Sequence, residues 1–196
     1  QMPTRRGLGG DLGGISRYDE KSLLTYTEQD GLPKNDVGIV ACAPNGAVWC
    51  AAQSGLQNAS PGWGIAQFDR QRFTHYTQQD GLPANEINCI QCDLDGTVWV
   101  GTRQGAASWK ERGFTPFQAL GDQLSGEVDL IHRMLDGSLW FGGRASLARY
   151  DGRSLIAFGK MNEFRGTFLA ARSAADGTIW FMSLNGGVIH YDGKEF

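Results

Sequence analysis

Four segments of one form recur along the 196 residues of the chain: Asn45-Gly46-Ala47-Val48-Trp49, Asp95-Gly96-Thr97-Val98-Trp99, Asp136-Gly137-Ser138-Leu139-Trp140 and Asp176-Gly177-Thr178-Ile179-Trp180. Their tryptophans are 50, 41 and 40 residues apart. A second element follows each of them, as in Gly64-Ile65-Ala66-Gln67-Phe68-Asp69, Gly105-Ala106-Ala107-Ser108-Trp109, Ser146-Leu147-Ala148-Arg149-Tyr150-Asp151 and Gly187-Val188-Ile189-His190-Tyr191-Asp192. An extra copy, Gly14-Ile15-Ser16-Arg17-Tyr18-Asp19, precedes the first tryptophan. Self-similarity at such a period means repeated supersecondary units that bury their apolar faces on one another.

Each unit reads as four strands. Strand a is a short apolar run, such as residues 87–92, and ends at the Asn-Gly or Asp-Gly pair. That pair is the strongest short-range hairpin signal, and the expected turn is type I′, with positive φ at both central residues. Strand b carries the tryptophan. Strand c ends in an aromatic, and a second turn leads into strand d, as in Arg72-Phe73-Thr74-His75-Tyr76. The 28 glycines and the many aromatic residues, 6 Trp and 10 Phe among them, fit short strands joined by tight turns.

Four strands in 40 to 50 residues is the blade of a β-propeller. The expected fold is therefore all-β, with four four-stranded blades plus a partial blade in one propeller region over residues 1–196. The blades fall at about 1–27 (partial), 36–77, 86–118, 127–158 and 167–196. The first supplies only the later strands of a blade, so the chain reads as part of a larger propeller or as an arc completed by a partner. Open sheet edges invite pairing, and self-association is expected of the isolated chain. Trp49, Trp99, Trp140 and Trp180 share one register, which predicts that all four are buried between blades, where a large ring can remove about 150–250 Å² from water.

The spacing and residues of one unit carry a resemblance. Gly81-Leu82-Pro83-Ala84-Asn85-Glu86-Ile87, then Asp93-Leu94-Asp95-Gly96-Thr97-Val98-Trp99-Val100-Gly101-Thr102 and Gly105, resembles the two-component regulator propeller repeat. Gly31-Leu32-Pro33-Lys34-Asn35-Asp36-Val37 opens a second copy, whereas the units around Trp140 and Trp180 keep Asp-Gly-x-x-Trp and lose the Gly-Leu-Pro-x-Asn heading. The resemblance implies a sensor propeller of a two-component system, periplasmic or otherwise extracytoplasmic, that binds a small-molecule or glycan ligand without catalysis or cofactor.

Composition narrows the partners. A net charge of −3 argues against a nucleic-acid surface, which needs a basic field. No run of 18 apolar residues exists to insert into a membrane, and no signal peptide is read at the polar start. Cys89-Ile90-Gln91-Cys92 has metal-like spacing, but on a strand residues three apart point to opposite faces. Buried free thiols are favoured over a disulfide or zinc for Cys42, Cys50, Cys89 and Cys92. His75, His132 and His190 fall on strands d, a and c of different blades, without a catalytic motif. Asp19, Asp69, Asp151 and Asp192 recur at c–d turns, where Asp side chains bond their own backbone.

The loops joining d to a and b to c share one face of a propeller. Candidate ligand-binding residues there are Asn35 and Asn85 from the d–a loops and Arg103 and Arg144 from the b–c turns. Trp63 joins them from an insertion at residues 55–64. Polar groups around an aromatic suit a sugar or carboxylate ligand, and a solvated rim is the alternative. Two other functions stay open: a protein-interaction scaffold, and an enzyme like the virginiamycin B lyases, which resemble this repeat pattern and act through a histidine and a metal.

Overall fold

The structure, a computed structural model, describes residues 13–18, 20–52, 62–110, 113–124, 126–158 and 166–196. It is all-β, with five antiparallel sheets that follow one another along the chain. The first has two strands, β1 (Ile15–Tyr18) and β2 (Leu23–Tyr26). Three four-stranded sheets follow. They are β3 (Ile39–Cys42), β4 (Val48–Ala51), β5 (Ile65–Phe68) and β6 (Phe73–Tyr76); β7 (Ile87–Cys92), β8 (Val98–Thr102), β9 (Gly105–Trp109) and β10 (Phe114–Pro116); and β11 (Leu130–Arg133), β12 (Leu139–Gly143), β13 (Ser146–Tyr150) and β14 (Leu155–Ala157). The last sheet has β15 (Thr167–Ser173), β16 (Ile179–Leu184) and β17 (Gly187–Tyr191).

Within each sheet every strand pairs with the next in sequence, so each is a meander. Between sheets, β3 adjoins β7, β7 adjoins β11 and β11 adjoins β15. The first strands of successive sheets thus stand side by side as the inner wall, with the later strands outside. This is the blade arrangement of an open propeller.

The tryptophans explain why the blades stack. Trp49 and Trp140 are buried completely and Trp99 nearly so. Trp99 meets Phe141 edge-on at 5.8 Å between centroids, and Trp140 meets Phe181 at 5.1 Å. Phe141 and Phe181 are the residues just after the tryptophan of the following blade. Trp49 lies in the same way in the cluster that contains Val100, the residue after Trp99. Each ring is therefore sealed by the next blade. Trp180 departs from the expected burial and is 47% exposed. No later sheet stands over it among the described residues, and its ring rests on His190 of its own sheet at 4.4 Å. Strand β16 accordingly alternates buried and exposed residues, with Ile179, Phe181 and Ser183 inward and Trp180, Met182 and Leu184 outward.

The a–b turns differ from the type I′ expectation. In the first, Ala43 pairs with Ala47 through Ala43 N–H to Ala47 C=O at 2.9 Å, which leaves three residues in the loop rather than two. Gly46 N–H returns to Ala43 C=O at 2.8 Å, and Gly46 alone of the Asn-Gly pair has positive φ, at 82°. This is a type I turn closed by a left-handed glycine, the usual three-residue hairpin. The Asn or Asp stays right-handed, and its Oδ1 accepts the backbone N–H two residues on, from Ala47, Thr97, Ser138 and Thr178 at 2.8–3.0 Å. The c–d turns follow the expected Asp chemistry: Asp69, Asp151 and Asp192 each accept two following backbone amides. Asp19 lies outside the described residues.

All four cysteines are free thiols. Cys50 is buried and Cys89 and Cys92 are partly so, but Cys42 is exposed, contrary to the expectation of buried thiols throughout. A bulge between Ile87 and Cys89 shifts the β7 register.

Candidate functional site

The Gly-Leu-Pro-x-Asn headings build the d–a loops. Thr27 and Thr77 each cap a short 3-10 turn, with Asp30 and Asp80 returning a side chain to the cap backbone. Gly31 and Gly81 end these turns in the left-handed region, at φ 95° and 97°, where a side chain is strained. Leu32 and Leu82 then drop into the core. Asn35 closes its loop reciprocally: its Oδ1 accepts Glu28 N–H at 2.9 Å, and its own N–H donates to Glu28 Oε1 at 3.0 Å. Asn85 Oδ1 accepts Gln78 N–H at 2.9 Å. The backbone carbonyls of the same two residues accept Gly14 N–H and Gly64 N–H, tying each loop to the start of a preceding strand c. Both asparagines thus hold the loop in shape, and their carboxamide oxygens are already engaged.

Trp63 lies inside rather than on the rim, only 8% exposed, packed with Leu32, Cys50, Ala52 and Ala66. Its indole N–H donates to Asp36 C=O at 3.4 Å, and its own carbonyl accepts from His75 Nε2. Residues 55–61 of the insertion lie outside the described residues. Arg103 and Arg144 are exposed, each the first residue of a two-residue b–c turn, between β8 and β9 and between β12 and β13. Asn185 holds the same position between β16 and β17. The structure therefore aligns the two arginines in neighbouring blades at one end of the molecule, with Trp63 beneath its surface.

A polar pair absent from the sequence reading stands at this same end. Asn88 Nδ2 donates to Asp129 Oδ1 at 2.9 Å, across the boundary between blades. Asp129 Oδ2 is buried without a hydrogen-bond partner among the described residues. Burial, and then repulsion from Glu127, push the Asp129 carboxyl up to about 6. The backbone is close here: a Cβ on Gly101 would come within 2.5 Å of both Cys89 Sγ and Val128 C=O. A polar residue at the start of an apolar strand was the available signal, but its partner is 41 residues away.

The a–b turns stand at the opposite end. Leu94 and Leu135 project from equivalent a–b turns, 96% and 83% exposed. Between them lies a concavity of about 560 Å³ that Asp93 and Arg133 also line. Asp93 is buried, and its Oδ2 pairs with Arg133 Nη2 and accepts Trp99 Nε1–H at 3.1 Å. Arg133 also donates to Gly137 C=O. This ion pair links two blades on the turn side.

Histidine chemistry is sparse. His132 Nε2 bonds Ser173 Oγ at 2.8 Å, and Ser173 in turn donates to Met134 Sδ at 3.1 Å. Burial and the nearby Arg172 lower the His132 pKa, which favours the neutral ring. Among the described residues no three His, Cys, Asp or Glu side chains gather where they could hold a metal ion.

Residues 81–104 match the two-component regulator propeller family. No curated protein matches the sequence. Solved structures do. The extracellular domain of a hybrid two-component system from B. thetaiotaomicron superimposes with a TM-score of 0.72 at 15% identity, over 93% of this chain and 28% of that one. PorZ, a surface component of the type-IX secretion system of Porphyromonas gingivalis, gives 0.65 at 14% identity over 93% and 30%. Virginiamycin B lyase from Staphylococcus aureus gives 0.63 at 20% identity over 93% and 64%. At these identities the likeness is one of fold, and the chain spans under a third of the first of them.

Proposed function

We propose that the chain is a segment of an extracytoplasmic sensor propeller of a two-component regulatory system, and that it binds a small-molecule or glycan ligand without catalysis. The observation that carries this reading is the two-component regulator propeller repeat at residues 81–104, set in blades like those of such extracellular domains. Function belongs to sites rather than folds, so the reading needs a site. The d–a/b–c end offers one. Arg103 and Arg144 present directional donors from matched turns, suited to an anionic or hydroxyl-rich ligand. Asn35, Asn85 and Trp63 form the loop framework beneath, and Asn88 with Asp129 supplies polar groups nearer the inner strands. A propeller lyase shares the architecture, but His132, the inner-strand histidine of this chain, is engaged by Ser173.

A glycan-array screen followed by calorimetry tests the proposal. With a ligand in hand, Arg103→Ala and Arg144→Ala should each weaken binding by roughly 1.5–3 kcal/mol, about ten- to a hundredfold. Unchanged affinity in both variants moves the site elsewhere, and turnover of the bound compound removes the non-catalytic reading.

A further inference from the structure

The two-stranded sheet β1–β2 is the outer half of a blade. Its register, Ile15 opposite Tyr26 and Tyr18 opposite Leu23, repeats that of β5–β6, where Ile65 opposes Tyr76 and Phe68 opposes Phe73. Strand β5 is bonded on its other side by β4, whereas β1 pairs with β2 alone among the described residues. Beside that open edge runs a groove of about 490 Å³ between β1–β2 and the inner strands β3 and β4. Ile15, Tyr26, Val40, Cys42, Val48 and Phe68 line it.

One repeat further along, these six positions are Ile65, Tyr76, Ile90, Cys92, Val98 and Trp109. All six belong to the apolar cluster that holds Trp49. There Trp49 lies 5.8 Å from Tyr76 and 5.1 Å from Trp109. In the groove, Tyr26 and Phe68 close on each other at 4.6 Å instead. The cost of leaving the position open is visible in burial: Val98 is 1% exposed but its counterpart Val48 only half-buried, and Val40 is 52% exposed.

We infer that this groove is the seat of a strand-b tryptophan, and that its occupant is an antiparallel strand pair of this same repeat. The pair would consist of an inner and a second strand joined by an Asn-Gly or Asp-Gly turn. Its second strand adds to the open edge of β1 by main-chain hydrogen bonds, while its tryptophan enters against Tyr26 and Phe68. The argument is continuity with the blade-to-blade interface that recurs through the molecule, and it does not depend on the sensor reading. A second copy offers an exposed tryptophan in Trp180, but already bonded into β15–β17. Seating that sheet would bring β17, a third strand, to the place that β1 holds. A two-stranded hairpin has no such conflict.

The probe is a synthetic hairpin of residues 127–143 of this chain, which contains β11, β12 and Trp140, added to the intact protein. Saturable binding is expected, with slowed amide exchange across Ile15–Tyr18. A hairpin carrying Trp140→Ala should bind about a hundredfold more weakly, as for a buried aromatic anchor. The protein variant Val40→Arg, at an exposed groove position, should lose binding while keeping its melting temperature. The inference fails if the hairpin does not bind, if the alanine hairpin binds equally well, or if exchange at Ile15–Tyr18 is unchanged. It also fails if the protein self-associates and Trp180→Ala abolishes this, since the occupant is then a second copy.

Discussion

Asn88 Nδ2 reaches across a blade boundary to donate to Asp129 Oδ1 at 2.9 Å, while the other carboxylate oxygen of Asp129 is buried with no hydrogen-bond partner among the described residues. One end of the carboxylate is thus solvated by protein and the other by nothing described. Burial, and then repulsion from Glu127, disfavour the charged form, which is why its pKa rises to about 6 against an ordinary value of 3.8.

A raised acid pKa means that the folded state holds a proton that the unfolded chain gives up, so stability falls as pH rises between about 4 and 6. Above that window the folded protein carries the poorly solvated charge. Asp129→Asn keeps an acceptor for Asn88 and removes the charge. It should stabilise the protein by about 1 kcal/mol at pH 7.5, after discounting for partial exposure, and flatten the acid side of the profile. Thermal melts from pH 4 to 8 check this; a variant with the parent's slope contradicts the assignment.

The Arg133–Asp93 pair predicts a different response. Removing one partner of a buried pair leaves an uncompensated charge, which is more costly than replacing both. Arg133 is partly exposed, so Arg133→Ala should cost roughly 2–3 kcal/mol, below the full buried-pair value. Asp93→Asn combined with Arg133→Ala should recover a large part of that. Urea unfolding of the two single variants and the double variant measures the coupling, and additive losses would mean that the pair contributes little.

Thiol reactivity should separate the cysteines. Burial pushes Cys50 and Cys89 up to about 12 and Cys92 to about 11, so almost none of their thiolate is present at pH 8. Cys42 is exposed. Native protein treated with a chromogenic disulfide at pH 8 should release one equivalent quickly and the remaining three only after denaturation. Rapid release of two or more would contradict the burial of β7 and β4.

What the sequence made legible was whatever the repeat averages over. Strand order, the chemistry of Asp69, Asp151 and Asp192, and the burial of Trp49, Trp99 and Trp140 all recur, so one blade informs the next. Properties set by a neighbour were not legible. Trp180 has a local sequence much like that of Trp140, yet differs because no later sheet covers it among the described residues. Asn45 and Gly46 signalled a turn, but the type depended on Ala43 pairing with Ala47 across three residues. The Asn88–Asp129 contact left only a polar residue at the start of an apolar strand, with its partner 41 residues away, and the sequence placed Trp63 among the ligand-binding candidates without showing its packing against Leu32 and Cys50.

The contrast between Trp140 and Trp180 gives the most direct test of blade stacking. The two residues share a strand position and an Asp-Gly turn, and each has a partner on its own sheet. Trp140 is 1% exposed and lies within 5.1–5.2 Å of Phe158, Phe181 and Tyr191, two of which belong to the following blade. Trp180 is 47% exposed and meets His190. If local sequence set the contribution, the two alanine variants would cost the same. If the next blade sets it, Trp140→Ala should lose roughly 3–5 kcal/mol through transfer and cavity terms. Trp180→Ala should lose about 1 kcal/mol or less, because half its ring already faces water. For a chain of this size the first loss corresponds to a fall of about 6–20 °C in melting temperature, and the second to about 4 °C or less. Differential scanning calorimetry of the two variants, run at several protein concentrations to detect any association, distinguishes the cases. Equal losses would mean that Trp180 is covered in solution by a surface absent from this structure.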